Sequence, residues 1–168
     1  MFEVVSVAYA DRQKFIQFYK THREKIKVHR SDLCYLLLNE KEAVAAVKFV
    51  RLQNDLWLLR NMLVGADRRN GGIGHRFLTE LEVIMSDLKE GSSGLYCFPW
   101  SHLTDFYCAH GFSCFSDVDG NVIENRSHQP LHSAITSRYQ TYLKRGLKIS
   151  LCRRDAKILK LVDETVNN

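Results

Sequence analysis

Proline is close to missing, with two residues in 168, and no stretch is compositionally biased. Nothing therefore marks a linker, and no internal repeat divides the chain. The length suits one domain around one core. No window approaches the roughly eighteen continuous apolar residues of a membrane span, so no membrane partner is expected. The first ten residues have neither the basic start nor the long apolar run of a signal peptide, and the expected location is the cytoplasm. The five cysteines are Cys34, Cys97, Cys108, Cys114 and Cys152, and no two have the spacing of a zinc knuckle or redox motif. No metal is expected, and buried thiols fit a reducing compartment.

The formal charge is +5. A basic balance attracts anions in general, whether nucleic acid, acidic lipid or a phosphorylated ligand, and does not choose among them. Much of the excess lies in Lys144, Arg145, Lys148, Arg153, Arg154 and Lys157. These are expected to form a solvated face. Basic residues are not interleaved with aromatics, so nucleic acid is not an expected partner.

Along the chain, a valine-rich strand is expected over 3–9. A helix capped by Asp11 follows, with Phe15, Ile16, Phe18 and Tyr19 on one face. Three strands over 33–39, 43–52 and 56–64 are joined by the short turns Glu40-Lys41 and Asn54-Asp55, the signature of an antiparallel meander. Ile73, Phe77, Leu78, Leu81, Ile84, Met85 and Leu88 then recur at helical spacing, which predicts one long helix stopped at Gly91. A buried strand over 95–98 precedes a short helix over 102–110 with Ser101 as its cap. Gly111 ends that helix, and another strand begins at Phe112. Residues 117–127 are polar and turn-like. A helix is predicted over 130–145, with Pro130 at its first position and Gly146 past its end. A strand over 147–152 alternates apolar and polar residues, and a last helix covers 156–166. The outline is an α/β or α+β domain with a mixed sheet.

The most informative segment is Arg69-Asn70-Gly71-Gly72-Ile73-Gly74, between a strand and an amphipathic helix. The first N–H groups of a helix have no internal partners and point out at the positive end of its dipole. Glycines remove side chains that would hold a ligand away and permit positive φ. A pyrophosphate can then lie on the amides, with Arg68, Arg69 and Arg76 adding charge. A P-loop would need Lys and then Ser or Thr where His75 and Arg76 stand. A dinucleotide fingerprint would need Gly or Ala where Phe77 stands. Arg69-x-x-Gly72-x-Gly74 instead resembles the pyrophosphate-binding signature of the GNAT superfamily of acyl-CoA N-acyltransferases, and lies in that family's place after the fourth strand. A second segment, Phe106-Tyr107-Cys108-Ala109-His110-Gly111-Phe112, resembles the family's aromatic-Tyr-x-x-x-Gly-Phe motif. In it Gly111 would close the helix in the left-handed conformation and fold Phe112 onto Phe106 or Tyr107.

The resemblance implies a mostly antiparallel mixed sheet flanked by helices, with two central strands splayed around acetyl-CoA. It implies a single acetyltransferase domain over 1–168, with the helix at 130–145 and the terminal helix as additions. The backbone of Met62, Leu63 and Val64 would pair with the pantetheine arm and polarise the thioester carbonyl. Arg69, Asn70, Gly71, Gly72, Ile73 and Gly74 would hold the diphosphate. Many members carry a polar residue before the second motif that reaches the pantetheine; here Ser101 would serve. Tyr107 would protonate the leaving thiolate, whose thiol pKa is about 8.5. Many members place a glutamate base on the fourth strand, but residues 57–62 contain no carboxylate. Asp55, His102, His110 or a water chain would take the amine proton. A covalent route through Cys97 or Cys108 lacks an adjacent His and acid. The acceptor is an amine that the sequence does not identify, and a homodimer is common in the family. Two other readings stay open: a non-catalytic acyl-CoA-binding regulatory module, and a basic nucleic-acid-binding domain.

Overall fold

The computed structural model of the chain describes residues 1–123 and 129–154. Strand β1 (Phe2–Ser6) pairs antiparallel with β2 (Leu33–Asn39), which turns back into β3 (Glu42–Leu52) and then β4 (Leu56–Val64). Glu40 and Lys41 both take positive φ, 51° and 74°, the mirror-image turn whose twist suits a hairpin. Strands β5 (Gly94–Cys97), β6 (Phe112–Cys114) and β7 (Cys152–Arg154) complete the sheet. Among the described residues it has seven strands in the order β1-β2-β3-β4-β5-β7-β6, and β4–β5 is the parallel pair. This is the mixed, mostly antiparallel sheet expected.

Helices cover both faces. Phe15, Phe18 and Tyr19 of α1 (Arg12–Thr21) pack on Cys34, Leu36 and Ala46. Ile135 and Tyr139 of α5 (Ser133–Lys144) pack on Leu56 and Leu58. Phe77 and Leu78 of α2 (Ile73–Glu80), Met85 of α3 (Glu82–Glu90) and Tyr107 of α4 (Thr104–Cys108) share the opposite face with Val47, Phe49 and Leu59. Leu58 and Leu59 thus serve different cores, because successive strand residues point to opposite sides.

Several local expectations are corrected. The first strand ends at Ser6, since Tyr9–Asp11 curl into a 3-10 turn leading to α1. The long helix is two: at Leu81 the backbone opens to φ −84°, ψ 0°. Directly after it Glu82 meets the guanidinium of buried Arg154, an ion pair that holds the start of α3. Gly91 follows α3 at φ −85°, without a left-handed turn. Ser101 does not cap α4; it lies within a 3-10 turn, Ser101–Leu103, and its carbonyl accepts from Thr104 Oγ1 at 2.8 Å. Pro130 precedes α5 by several residues, because His132 Nδ1 accepts the Ala134 N–H at 3.1 Å and starts the helix at Ser133. Gly146 does follow α5 with φ 79°. The closing strand is Cys152–Arg154 rather than 147–152. Before it, Ser150 N bonds Pro99 O at 2.8 Å and Leu151 N bonds Ser116 Oγ at 3.0 Å, so the ladder starts only at Cys152. The terminal helix at 156–166, Lys157 and part of the turn-like 117–127 stretch lie outside the described residues.

The basic cluster is not a uniform solvated face. Lys144, Arg145 and Lys148 are exposed, but Arg153 and Arg154 are 5% and 1% exposed. Arg154 donates to His110 O at 2.5 Å besides pairing with Glu82, and the Arg153 guanidinium lies 4.7 Å from the Phe115 ring centroid. Buried cations persist only when paired and hydrogen-bonded.

A second buried charge holds down the irregular, basic 23–32 segment. Lys48 Nζ donates to Asp32 Oδ2 at 2.8 Å and to Lys27 O at 2.6 Å. Arg12 donates to the carbonyls of His29, Arg30 and Asp32. Asp32 also accepts the His29 N–H at 3.0 Å. Removing one partner of such a pair strands the other. Asp32→Ala is therefore expected to cost roughly 3–5 kcal/mol of stability, read as a lower urea midpoint at unchanged slope.

Candidate active site

Strands β4 and β5 pair over only four positions, from Leu56 opposite Gly94 to Leu59 opposite Cys97. Two local features follow directly after. In β4 the register against β3 slips between Ala46–Leu63 and Lys48–Arg60, so Asn61 and Met62 together face Val47. This is a β-bulge, with Asn61 in the left-handed region at φ 55°. Asparagine tolerates that conformation better than most residues. The Tyr19 hydroxyl donates to the Asn61 carbonyl and ties the bulge to α1. On the other strand the chain leaves the sheet through Phe98-Pro99, and Pro99 has no N–H to offer a ladder. The strands part, and a groove of about 950 Å³ opens between them.

The glycine-rich loop forms one end of this groove. Asn70 at φ 63° and Gly72 at φ 75° both turn left-handed, which swings the chain into α2. Gly72 is the N-cap, and no described side chain caps the helix. The first closed helical bond is Arg76 N to Gly72 O at 3.0 Å, so the amides of Ile73, Gly74 and His75 have no helical acceptor. A Cβ on Gly72 would find open space, whereas one on Gly74 would come within 3.2 Å of the Phe106 ring. Gly74 thus lets α4 pack close to the start of α2. Arg68 and Arg69 border the groove, and Arg69 Nε donates to Val64 O at 3.2 Å. Arg76 does not border it; it pairs with Glu80 at 3.4 Å and stacks on Phe2.

Tyr107 stands at the other end of the gap. Gly111, at φ 81°, ends the turn after α4, and Phe112 packs edge-on against Tyr107 with centroids 5.9 Å apart. The Tyr107 hydroxyl points at Met62 Sδ, 3.8 Å away. Burial pushes its pKa well above the ordinary tyrosine value, with the nearby Cys97 and Cys152 thiols adding to the rise. At neutral pH it is a proton donor only.

Of the residues singled out from sequence, Met62, Leu63, Val64, Arg69, Asn70, Gly72, Ile73, Gly74 and Tyr107 all border one groove. Gly71 and Ser101 do not; His102, next to Ser101, does. Asp55 lies at the far end of β4, bound to Arg51 at 2.7 Å. His110 is buried behind the groove, 3.0 Å from His75 Nδ1, with His75 on the groove wall. Cys97, Cys152 and Cys114 stand in register across three strands. Burial raises the Cys108 pKa, which makes that thiol a poor nucleophile.

Sequence reasoning missed Glu24, the carboxylate among the groove-lining residues. It sits where α1 ends in a Schellman motif: Arg23 at φ 60° donates to Lys20 O at 3.0 Å, and Glu24 N donates to Tyr19 O at 2.9 Å. Glycine usually marks such an ending, and its lack hid the turn. The bulge was signalled only by an asparagine inside a strand, a residue that strands disfavour.

No protein-family model matches the chain, and no curated protein matches it in sequence. Its fold does match solved structures. An acetyltransferase of the GNAT family from Staphylococcus aureus superposes with TM-score 0.53 at 16% identity, over 91% of this chain and 98% of that one. The ribosomal-protein-S18-alanine N-acetyltransferase from Escherichia coli gives 0.56 at 14%, over the full length of both. N-acetylglutamate synthase from Neisseria gonorrhoeae, solved with coenzyme A and N-acetyl-glutamate, gives 0.56 at 14%, over 93% of this chain but 36% of that one. The chain has the GNAT fold.

His110, packed against His75, makes the fold acid-sensitive. The His110 pKa is lowered by burial first and by His75 next, with Arg154 in the same sense and Glu82 opposing. A histidine depressed in the folded state binds its proton better unfolded, so its contribution is intact above about pH 6.5 and is lost below it. Unfolding free energy should fall between pH 7.5 and 5.5. In urea titrations at the two values, His110→Gln should show a smaller drop than the wild type.

Proposed function

We propose that the chain, carrying the GNAT fold, moves an acetyl group from acetyl-CoA to a primary amine, with donor and acceptor bound together. The observation that carries this reading is the parting of β4 from β5 directly beside an uncapped helix start. A diphosphate needs donors and room. The amides of Ile73, Gly74 and His75 offer the donors at the positive end of α2, and Gly72 leaves the approach open. Arg69 adds a cation at the loop, and the backbone of Met62, Leu63 and Val64 would pair with the pantetheine amides. Acetyl-CoA would supply a thioester carbonyl activated for acyl transfer, with coenzyme A leaving as the thiol. The coenzyme in the N-acetylglutamate synthase structure supports this choice of donor.

In the transfer the amine nitrogen forms a bond to the acetyl carbon as the carbon–sulfur bond breaks. The nitrogen loses one proton and the sulfur gains one. Tyr107, held protonated by burial at the gap, would give the proton to sulfur. Glu24 or His102, both on the groove wall, would accept the amine proton directly or through water. Asp55, engaged with Arg51, and His110, buried behind His75, are poorly placed to do so. All five cysteines are thiols rather than disulfides, in keeping with work in the cytoplasm.

Calorimetric titration with coenzyme A tests the reading: absence of heat at moderate ionic strength would overturn it. Gly72→Glu puts a carboxylate where the diphosphate would lie and should weaken that binding at least ~10-fold, about 1.4 kcal/mol. Tyr107→Phe should lower turnover by ~10²–10⁴-fold, the usual worth of a positioned proton donor. Its affinity for coenzyme A should stay close to wild type. Wild-type turnover in that variant would remove the role.

A further inference from the structure

A second, smaller cavity of about 230 Å³ opens where the strands part. It shares Met62 and Tyr107 with the larger groove, so the two meet at the gap. It lies towards α5, which contributes Tyr142 to its wall beside Phe98 and Ile149. Among its lining residues one side chain is charged, Arg60, and none is acidic. The Arg60 guanidinium lies 5.5 Å from the centroid of the Tyr142 ring. An arginine stacked on an aromatic face keeps its N–H edge for a planar anion. No carboxylate among the described residues pairs with it.

We infer that this cavity receives the acceptor, and that the acceptor is a small apolar amino acid whose carboxylate pairs with Arg60. The inference rests on the acetyl-transfer reading and names the substrate class of that site. The size is below the roughly 300 Å³ at which pockets for drug-sized ligands begin, so a whole polypeptide surface is a poor fit. The aromatic and aliphatic walls favour an apolar side chain. A lone guanidinium matches one carboxylate through two parallel hydrogen bonds, whereas a phosphate dianion would keep a charge unmatched. A diamine or lysine-rich peptide would bring a second cation against Arg60 with no acid to receive it. Helix α5 thereby walls the acceptor cavity and braces its arginine.

The test uses the full chain saturated with coenzyme A. It is titrated calorimetrically with L-leucine, L-methionine and L-phenylalanine, each against its carboxamide. Thiol release from acetyl-CoA is measured in parallel with the same compounds. At least one acid should bind tenfold more tightly than its amide and exceed it tenfold in kcat/KM. In Arg60→Gln and Arg60→Lys that gap should shrink below threefold, chiefly through KM. Coenzyme A affinity within twofold of wild type would show both variants folded. If coenzyme A binds but acids and amides serve equally, the inference falls while the acetyl-transfer reading stands. It falls likewise if no acid binds, if Arg60→Gln keeps the preference, or if O-phosphoethanolamine is preferred to all three acids. Failure of coenzyme A itself to bind overturns both.

Discussion

The architecture turns on where one parallel ladder stops. Four residue pairs hold β4 to β5, and beyond Leu59 and Cys97 neither strand offers the other a partner. A left-handed asparagine bends one strand away, and a proline deprives the other of a donor. Inside a sheet such a break would strand polar groups without partners. It is sustained here because the freed stretches border the two cavities, while β3 and β7 hold the strands on their outer sides. The gap gives both cavities their common point and sets Met62 opposite Tyr107.

Around the gap, charge is handled by burial with a partner. Arg154 ties β7 to α3 through Glu82 and to the end of α4 through the His110 carbonyl. Those bonds link the elements behind the groove. In front of it, Lys48 and Arg12 gather the carbonyls of a segment with no regular structure of its own. Neither network contributes a side chain to the groove wall. Both hold the elements that do, as Gly74 does by letting Phe106 approach α2.

Much of this was legible in the sequence. The meander at β2, β3 and β4 follows from hydrophobic strands with turns too short for anything but hairpins. The glycine-rich turn into α2 follows from glycines at a helix start, and the placing of Tyr107 from the left-handed Gly111 that folds Phe112 against it. What was hidden depends on tertiary contact. The strand predicted over 147–152 kept its alternation but lost its ladder to Pro99 and Ser116. The long amphipathic helix kept its buried stripe but opened at Leu81, where Glu82 finds Arg154. Arg153 and Arg154 read as surface charge because partners far away in the chain decide their burial. Glu24 and Arg60 could not be placed on cavity walls by spacing, since what makes them wall residues is a Schellman turn and a bulge.

The buried Asp32–Lys48 pair has a consequence for timing. It moors the segment carrying Glu24 and Lys25 from beneath, so that side of the groove is fixed by the fold itself. A wall that stands beforehand demands little ordering when a ligand docks. Entry should then follow encounter directly, without waiting for a strap to swing shut. The lysine and the two arginines on the rim would quicken that encounter for polyanions in dilute buffer and lose their pull as salt is added.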